Sequence, residues 1–210
     1  MTKTGLFLVL MLGSIHAWSA DIRVTDENLQ SCLEKIAAEN GWVSAEQFTD
    51  IKCHNQNIKS LEGLNAFVGL EKLSLYKNEI SHASLHGLTK LRHLNLARNQ
   101  LESMELSALP ALEGLYFFDN DIESLSLVDL PRLTQFKGNA NDMTEFTYSG
   151  LPSVKKVYLF DNELKTIDIN NLPSLEYMDV RENPMPDKLY EEMDAMEGVT
   201  ILHDGNAEDW

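Results

Sequence analysis

Residues 91–101 read LRHLNLARNQL, and this stretch decides the fold. Leu94 and Leu96 alternate with other residues, which puts an apolar row on one side of a short extended segment. The pattern L-x-x-L-x-L-x-x-N-x-L returns at a fixed step of 21 residues: LEGLYFFDNDI from Leu112, LTQFKGNANDM from Leu133, VKKVYLFDNEL from Val154 and LEYMDVRENPM from Leu175. One step back it is LEKLSLYKNEI from Leu70, and a further step of 22 reaches the looser FTDIKCHNQNI from Phe48. Seven copies thus run through residues 48–185. Short strands so close in sequence and all pointing one way stack as a parallel sheet, about 4.8 Å apart. No single turn buries its own apolar side, so neighbouring turns must pile up. The Asn column (Asn78, Asn99, Asn120, Asn141, Asn162 and Asn183) falls where the chain turns after each strand. An Asn there satisfies backbone groups that the turn would otherwise bury unpaired.

The repeat resembles that of leucine-rich repeat proteins over about two thirds of the chain. It is similar to the short-repeat bacterial, exported kind, of which internalins are members. The resemblance implies an α/β fold: a right-handed solenoid with one parallel strand per turn and recognition by the concave strand face. Two departures stand out. Gln56 sits in the first copy where Asn belongs, and Gly138 occupies a normally apolar position in the fifth.

The second half of each repeat carries its own signal. Met104-x-Leu106, Leu125-x-Leu127, Phe146-x-Tyr148 and Ile167-x-Ile169 alternate with period two, and each is followed by Leu-Pro. That predicts a convex side of short extended segments rather than helices. In the first copy Ile58, Leu61, Leu64, Phe67 and Leu70 recur every third residue, which suits a 3₁₀ turn.

An open solenoid exposes an apolar cross-section at each end and needs caps. Residues 21–47 are read as the N-terminal cap, with an amphipathic helix over 26–39. Asp26 is its N-cap, Asn40-Gly41 its stop, and Leu29, Cys32, Leu33, Ile36 and Ala37 its apolar face. Residues 186–210 are read as a C-terminal cap. It has a helix from Pro186 to about Glu197, a last strand over 199–202, and a loose acidic tail.

Residues 1–20 read as a secretory signal: Lys3, the apolar run Leu6–Leu12, then the small residues Ala17 and Ser19. Export favours a disulfide between the two cysteines, Cys32 and Cys53, which would fasten the N-terminal lid. Such a bridge contributes roughly 3 kcal/mol by loop-entropy arithmetic. Two free buried thiols, or a metal pair, are the other readings; a metal needs more ligands, and no Cys-x-x-Cys is present. The absence of any Asn-x-Ser/Thr sequon among 16 Asn favours a bacterial source. Localisation is therefore read as secreted or periplasmic.

Composition narrows the function classes. The chain has 210 residues, 33 acids and 17 bases, for a net charge of −16. With no basic footprint, nucleic acid is not an expected partner. No apolar run spans a bilayer, so membrane insertion after signal removal is not expected. No Gly-rich phosphate loop or metal-ligand cluster is evident, so no cofactor and no catalysis are expected. His82-x-x-x-His86 has metal spacing only on a helix, and Asp50 with His54 has no evident nucleophile beside it.

On the strand face, the outward positions Tyr116, Phe118, Tyr158 and Phe160 form two aromatic pairs. Tyr76 and Tyr177 lie further out, Lys137 sits between Tyr116 and Tyr158, and Asp119 and Asp161 flank the pairs. Grouped aromatics on a solvated sheet mark a contact site, although they also cover the sheet and stack across strands. The reading is an exported, monomeric module that binds a protein partner through this face. A carbohydrate binder stacking sugars on Tyr116 and Tyr158, and a periplasmic scaffold without a specific ligand, are the alternatives.

Overall fold

The computed structural model describes residues 23–206. The expected signal segment and residues 207–210 lie outside the described residues.

Among the described residues the first element is helix α1 (Glu27–Asn40). The twelve strands that follow are β1 (Asp50–Lys52), β2 (Lys72–Ser74), β3 (His82–His86), β4 (His93–Asn95), β5 (Ser103–Ser107), β6 (Gly114–Tyr116), β7 (Ser124–Val128), β8 (Gln135–Lys137), β9 (Glu145–Ser149), β10 (Lys156–Tyr158), β11 (Tyr177–Asp179) and β12 (Thr200–Leu202). Helix α2 (Asp187–Asp194) lies between the last two. Strands β1, β2, β4, β6, β8, β10, β11 and β12 form one parallel concave sheet in that order. The middle residue of each strand faces inward, giving a core row through Ile51, Leu73, Leu94, Leu115, Phe136, Val157, Met178 and Ile201.

The Asn ladder joins turn to turn. Oδ1 of Asn141 accepts the N–H of Ile122 at 3.1 Å, while its Nδ2 donates to the carbonyls of Phe117 (3.2 Å) and Gly138 (3.1 Å). Asn120 and Asn162 repeat these bonds one turn either side. Each side chain therefore satisfies three backbone groups, two of them on the preceding turn, where no water reaches. The residue before each Asn takes a left-handed backbone (Lys77, Arg98, Asp119, Ala140, Asp161 and Glu182, φ 54–60°) to swing the chain out of the sheet.

On the convex side β3 pairs with β5, and β7 with β9, again in parallel. The first turn uses a 3₁₀ segment over Leu64–Ala66. At Ile167-x-Ile169 burial alternates as expected, with both Ile side chains buried and Asp168 exposed between them, but no ladder pairs the segment into a strand. Asp168 Oδ1 accepts the N–H of Asn170 at 2.8 Å, a local bond of the kind that competes with a sheet ladder.

Gly138 is explained by its neighbour. In the inward column Leu75, Leu96, Phe117, Gly138, Leu159, the fully buried Phe117 ring reaches across to the next turn. A Cβ on Gly138 would collide with its Cε2 and Cζ. One oversized residue fills the space that its neighbour leaves, so packing density is conserved.

At the N-terminus, Asp26 Oδ1 accepts the N–H groups of Asn28 (3.0 Å) and Leu29 (2.9 Å), capping α1. Its Oδ2 accepts those of Lys59 (2.8 Å) and Ser60 (3.3 Å) on the first turn. Cys32 and Cys53 are joined by a disulfide, with Cα atoms 6.1 Å apart. At the C-terminus, α2 stops at Asp194, short of the expected Glu197. Past the last strand, residues 203–206 are tied back onto the cap, with Asn206 Oδ1 accepting the N–H of His203 at 3.1 Å. His203 is fully buried, stacks on Tyr190 with ring centres 4.5 Å apart, and lies 3.0 Å from Asp194 Oδ1 through Nε2. Its Nδ1 accepts the N–H of Gly205 (3.1 Å), and Asn206 Nδ2 also lies 3.0 Å from its Nε2.

Candidate functional site

Three outward columns run across the concave sheet. Strand register sets the first as Asp50, Lys72, His93, Gly114, Gln135, Lys156, Tyr177 and the second as Lys52, Ser74, Asn95, Tyr116, Lys137, Tyr158, Asp179. Backbone hydrogen bonds between turns set the third as His54, Tyr76, Ala97, Phe118, Asn139, Phe160, Arg181. Asp119 and Asp161 stand one position beyond, at the rim, on the left-handed turn residues.

Tyr76, Tyr116, Phe118, Tyr158, Phe160 and Tyr177 are all half-buried rather than freely exposed. Tyr116 folds back over bare Gly114: a Cβ there would lie 3.2 Å from its ring and 3.1 Å from His93 Nδ1. Lys137 lies between the Tyr116 and Tyr158 strands, its ammonium 4.5 Å from the centre of the Tyr158 ring. Tyr158 and Tyr177 pack with ring centres 5.3 Å apart, so Tyr177 joins the patch instead of lying outside it. Ala97, between Tyr76 and Phe118 in the third column, is fully buried although it faces outward. Tyr76 is contacted by His54 (ring centres 5.9 Å apart) and by the Arg98 guanidinium (5.7 Å). Phe118 and Phe160 share a column but sit two strands apart, separated by Asn139.

The second site component, missed in the sequence, is an ion pair beside the aromatics. Arg181 holds the buried Asp179 with two bonds, Nε to Oδ1 at 2.9 Å and Nη2 to Oδ2 at 2.7 Å. That bond pushes the Arg181 pKa up. Burial pushes the Tyr177 phenol up, with Asp179 adding to it. The signal in the sequence is the alternation of Tyr177, Asp179 and Arg181, which puts all three on the outward face of β11 and the residues just after it.

Ser74 Oγ lies 2.7 Å from His54 Nε2, a nucleophile-to-base distance that the sequence did not reveal. The His54 ring also packs edge-on against Tyr76, so it is held within the aromatic face. His82 and His86 lie on strand β3, not on a helix, and no group of three ligating side chains that could hold a metal occurs among the described residues.

Comparison with known proteins supports the architecture. The family model described as Leucine Rich Repeat matches residues 90–112. No curated protein sequence matches the chain. Among solved structures, YopM from Yersinia enterocolitica is similar at 23% identity and a TM-score of 0.60 over 75% of this chain, which spans only 32% of that protein. A Shigella effector leucine-rich repeat domain is similar at 17% identity and a TM-score of 0.52, covering 86% of this chain and 91% of that domain. An internalin from Listeria monocytogenes aligns over 85% of this chain and 75% of its own at 13% identity, with a TM-score of 0.33.

Proposed function

We propose, from the premise that the chain folds as a bacterial leucine-rich repeat solenoid, that it is an exported module binding a protein partner through its concave face. Folds of this kind commonly mediate protein binding and are typically non-catalytic scaffolds. The observation that carries the reading is the group Tyr116, Lys137, Tyr158 and Tyr177 on adjoining strands, with Phe118 and Phe160 beside it. Aromatic rings supply large contact area at low entropic cost, and pockets of them dominate protein interfaces. Export is supported by the N-terminal signal pattern and by the Cys32–Cys53 disulfide, which persists in oxidising compartments.

The sugar-platform alternative is weaker on this geometry. Lys137 already covers one side of Tyr158, Tyr177 packs against the same ring, and Tyr116 lies back over Gly114, so each ring has part of its surface taken up by the protein itself. The test is affinity capture from host or envelope extracts with the mature protein and its Phe118→Ser, Phe160→Ser double variant. Loss of one specific protein band, with little change in melting temperature, supports the proposal. Undiminished capture by a folded double variant moves the site elsewhere.

A further inference from the structure

The charge of the concave face runs against that of the molecule. The chain carries 33 acids and 17 bases. The three outward columns from β1 to β11 carry five bases (Lys52, Lys72, Lys137, Lys156 and Arg181) and only two acids, Asp50 and Asp179. Both acids are answered on the face itself: Lys52 reaches Asp50 at 2.9 Å and Arg181 reaches Asp179 at 2.7 Å. At the rim Arg98 answers Asp119 at 3.0 Å, while Asp161 and Glu182 stand beyond the sheet. The centre of the face therefore offers no unpaired carboxylate to a basic partner.

Lys137 is placed differently from the other cations. It is half-buried, lies between the strands of Tyr116 and Tyr158, and forms no ion pair among the described residues. Its ammonium rests against the Tyr158 ring. A ring face compensates a cation only in part, and a further loss of water would leave the charge unbalanced unless an anion accompanied it. From strand spacing, Tyr116 and Tyr158 are about 10 Å apart across Lys137, wide enough for one extended segment to lie between them.

We infer that the concave face takes an acidic segment of its protein partner, with an Asp or Glu carboxylate seated on Lys137 and apolar side chains against the flanking aromatics. The inference rests on the concave-face reading above. A compact segment fits better than a long polyanion. The remaining acids of the chain repel an extended anionic polymer, whereas their field at the face centre is screened within about 8 Å at physiological salt.

The test uses a displayed library of random short peptides, selected against the wild-type protein and against its Lys137→Glu and Lys137→Met variants. A Phe118→Ser, Phe160→Ser counter-screen retains peptides that need the aromatic face, and unfolding curves establish that each variant is folded. The expected result is enrichment of Asp and Glu in wild-type selections. Selected peptides should bind Lys137→Met more weakly and Lys137→Glu at least about tenfold more weakly, with Lys137→Arg retaining them. Aromatic-dependent peptides with no acidic enrichment, or with equal affinity for Lys137→Glu, overturn the acidic-segment inference and leave the concave-face reading standing. A library in which no peptide needs the aromatics overturns both. Binding of a sulfated polysaccharide that Lys137→Glu abolishes, with no acidic peptide selected, overturns the protein segment in favour of an anionic sugar.

Discussion

The pairing of Phe117 with Gly138 gives the sharpest stability prediction. Phe117 is fully buried, and its Cε2 and Cζ occupy the space that a Gly138 side chain would need. Gly138→Ala therefore puts a methyl group into a ring that has no free volume to move into, an overpacking that costs about 1–3 kcal/mol. Phe117→Leu alone removes the ring edge and leaves a void above Gly138, costing about 1–2 kcal/mol as a large-to-small change short of Phe→Ala. In the double variant the new methyl lies in that void, so the clash disappears and the cavity shrinks. The double-mutant cycle should then show a coupling of about 2 kcal/mol favouring the pair, within the range for residues in contact. Urea unfolding followed by far-ultraviolet circular dichroism measures all four proteins. In a domain this size, each kcal/mol also moves the melting temperature by about 2–4 °C. Strictly additive costs, within about 0.5 kcal/mol, would refute the proposed compensation between neighbouring turns.

Other expectations follow from single side chains. Asp26→Ala removes a helix cap and two bonds to the first turn, so stability should fall by about 1–3 kcal/mol in urea melts, while Asp26→Asn should recover part of the loss. Asn141→Leu leaves the Ile122 N–H without its partner and takes one of two Asn donors from each of the Phe117 and Gly138 carbonyls, which keep Asn120 and Asn162, and should cost about 1–3 kcal/mol. Stability should also fall at alkaline pH. Burial first, then Asp168, pushes the Tyr148 phenol up from 10.0, and Tyr177 and Tyr190 shift the same way through burial. A raised folded pKa gives stability that is complete below the unfolded value near 10 and lost as pH rises above it. The urea midpoint should thus drop between about pH 9 and about pH 11, and Tyr148→Phe should flatten that drop.

The repeat was legible because its cause is local and recurs. The inward Leu pairs and the Asn column each satisfy the same need in turn after turn, so six in-register rows reveal both strand and turn. The N-terminal cap was legible for a similar reason, since Asp26, the apolar stripe and Gly41 are separate signals for one helix. What escaped depends on contacts between turns. The Phe117–Gly138 exchange needs the register of two rows and the reach of a ring. The local Asp168 bond competes with a strand that its alternating neighbours favour. The burial of His203 depends on a helix and a turn meeting around it. In the site, the columns of Tyr116, Phe118, Tyr158 and Phe160 were readable from alternation. The half-burial of these rings, the Tyr158–Tyr177 contact and the Asp179–Arg181 pair depend on side-chain directions that alternation does not specify.

The claim that the concave aromatics meet a protein is tested most directly by placing a photoreactive residue at position 118 and, separately, at Thr147 on convex strand β9. Both variants are produced in the source cell and irradiated there. A discrete crosslinked protein from position 118, absent from position 147, is the predicted outcome. Crosslinks from 147 alone, or the same product from both positions, would contradict it.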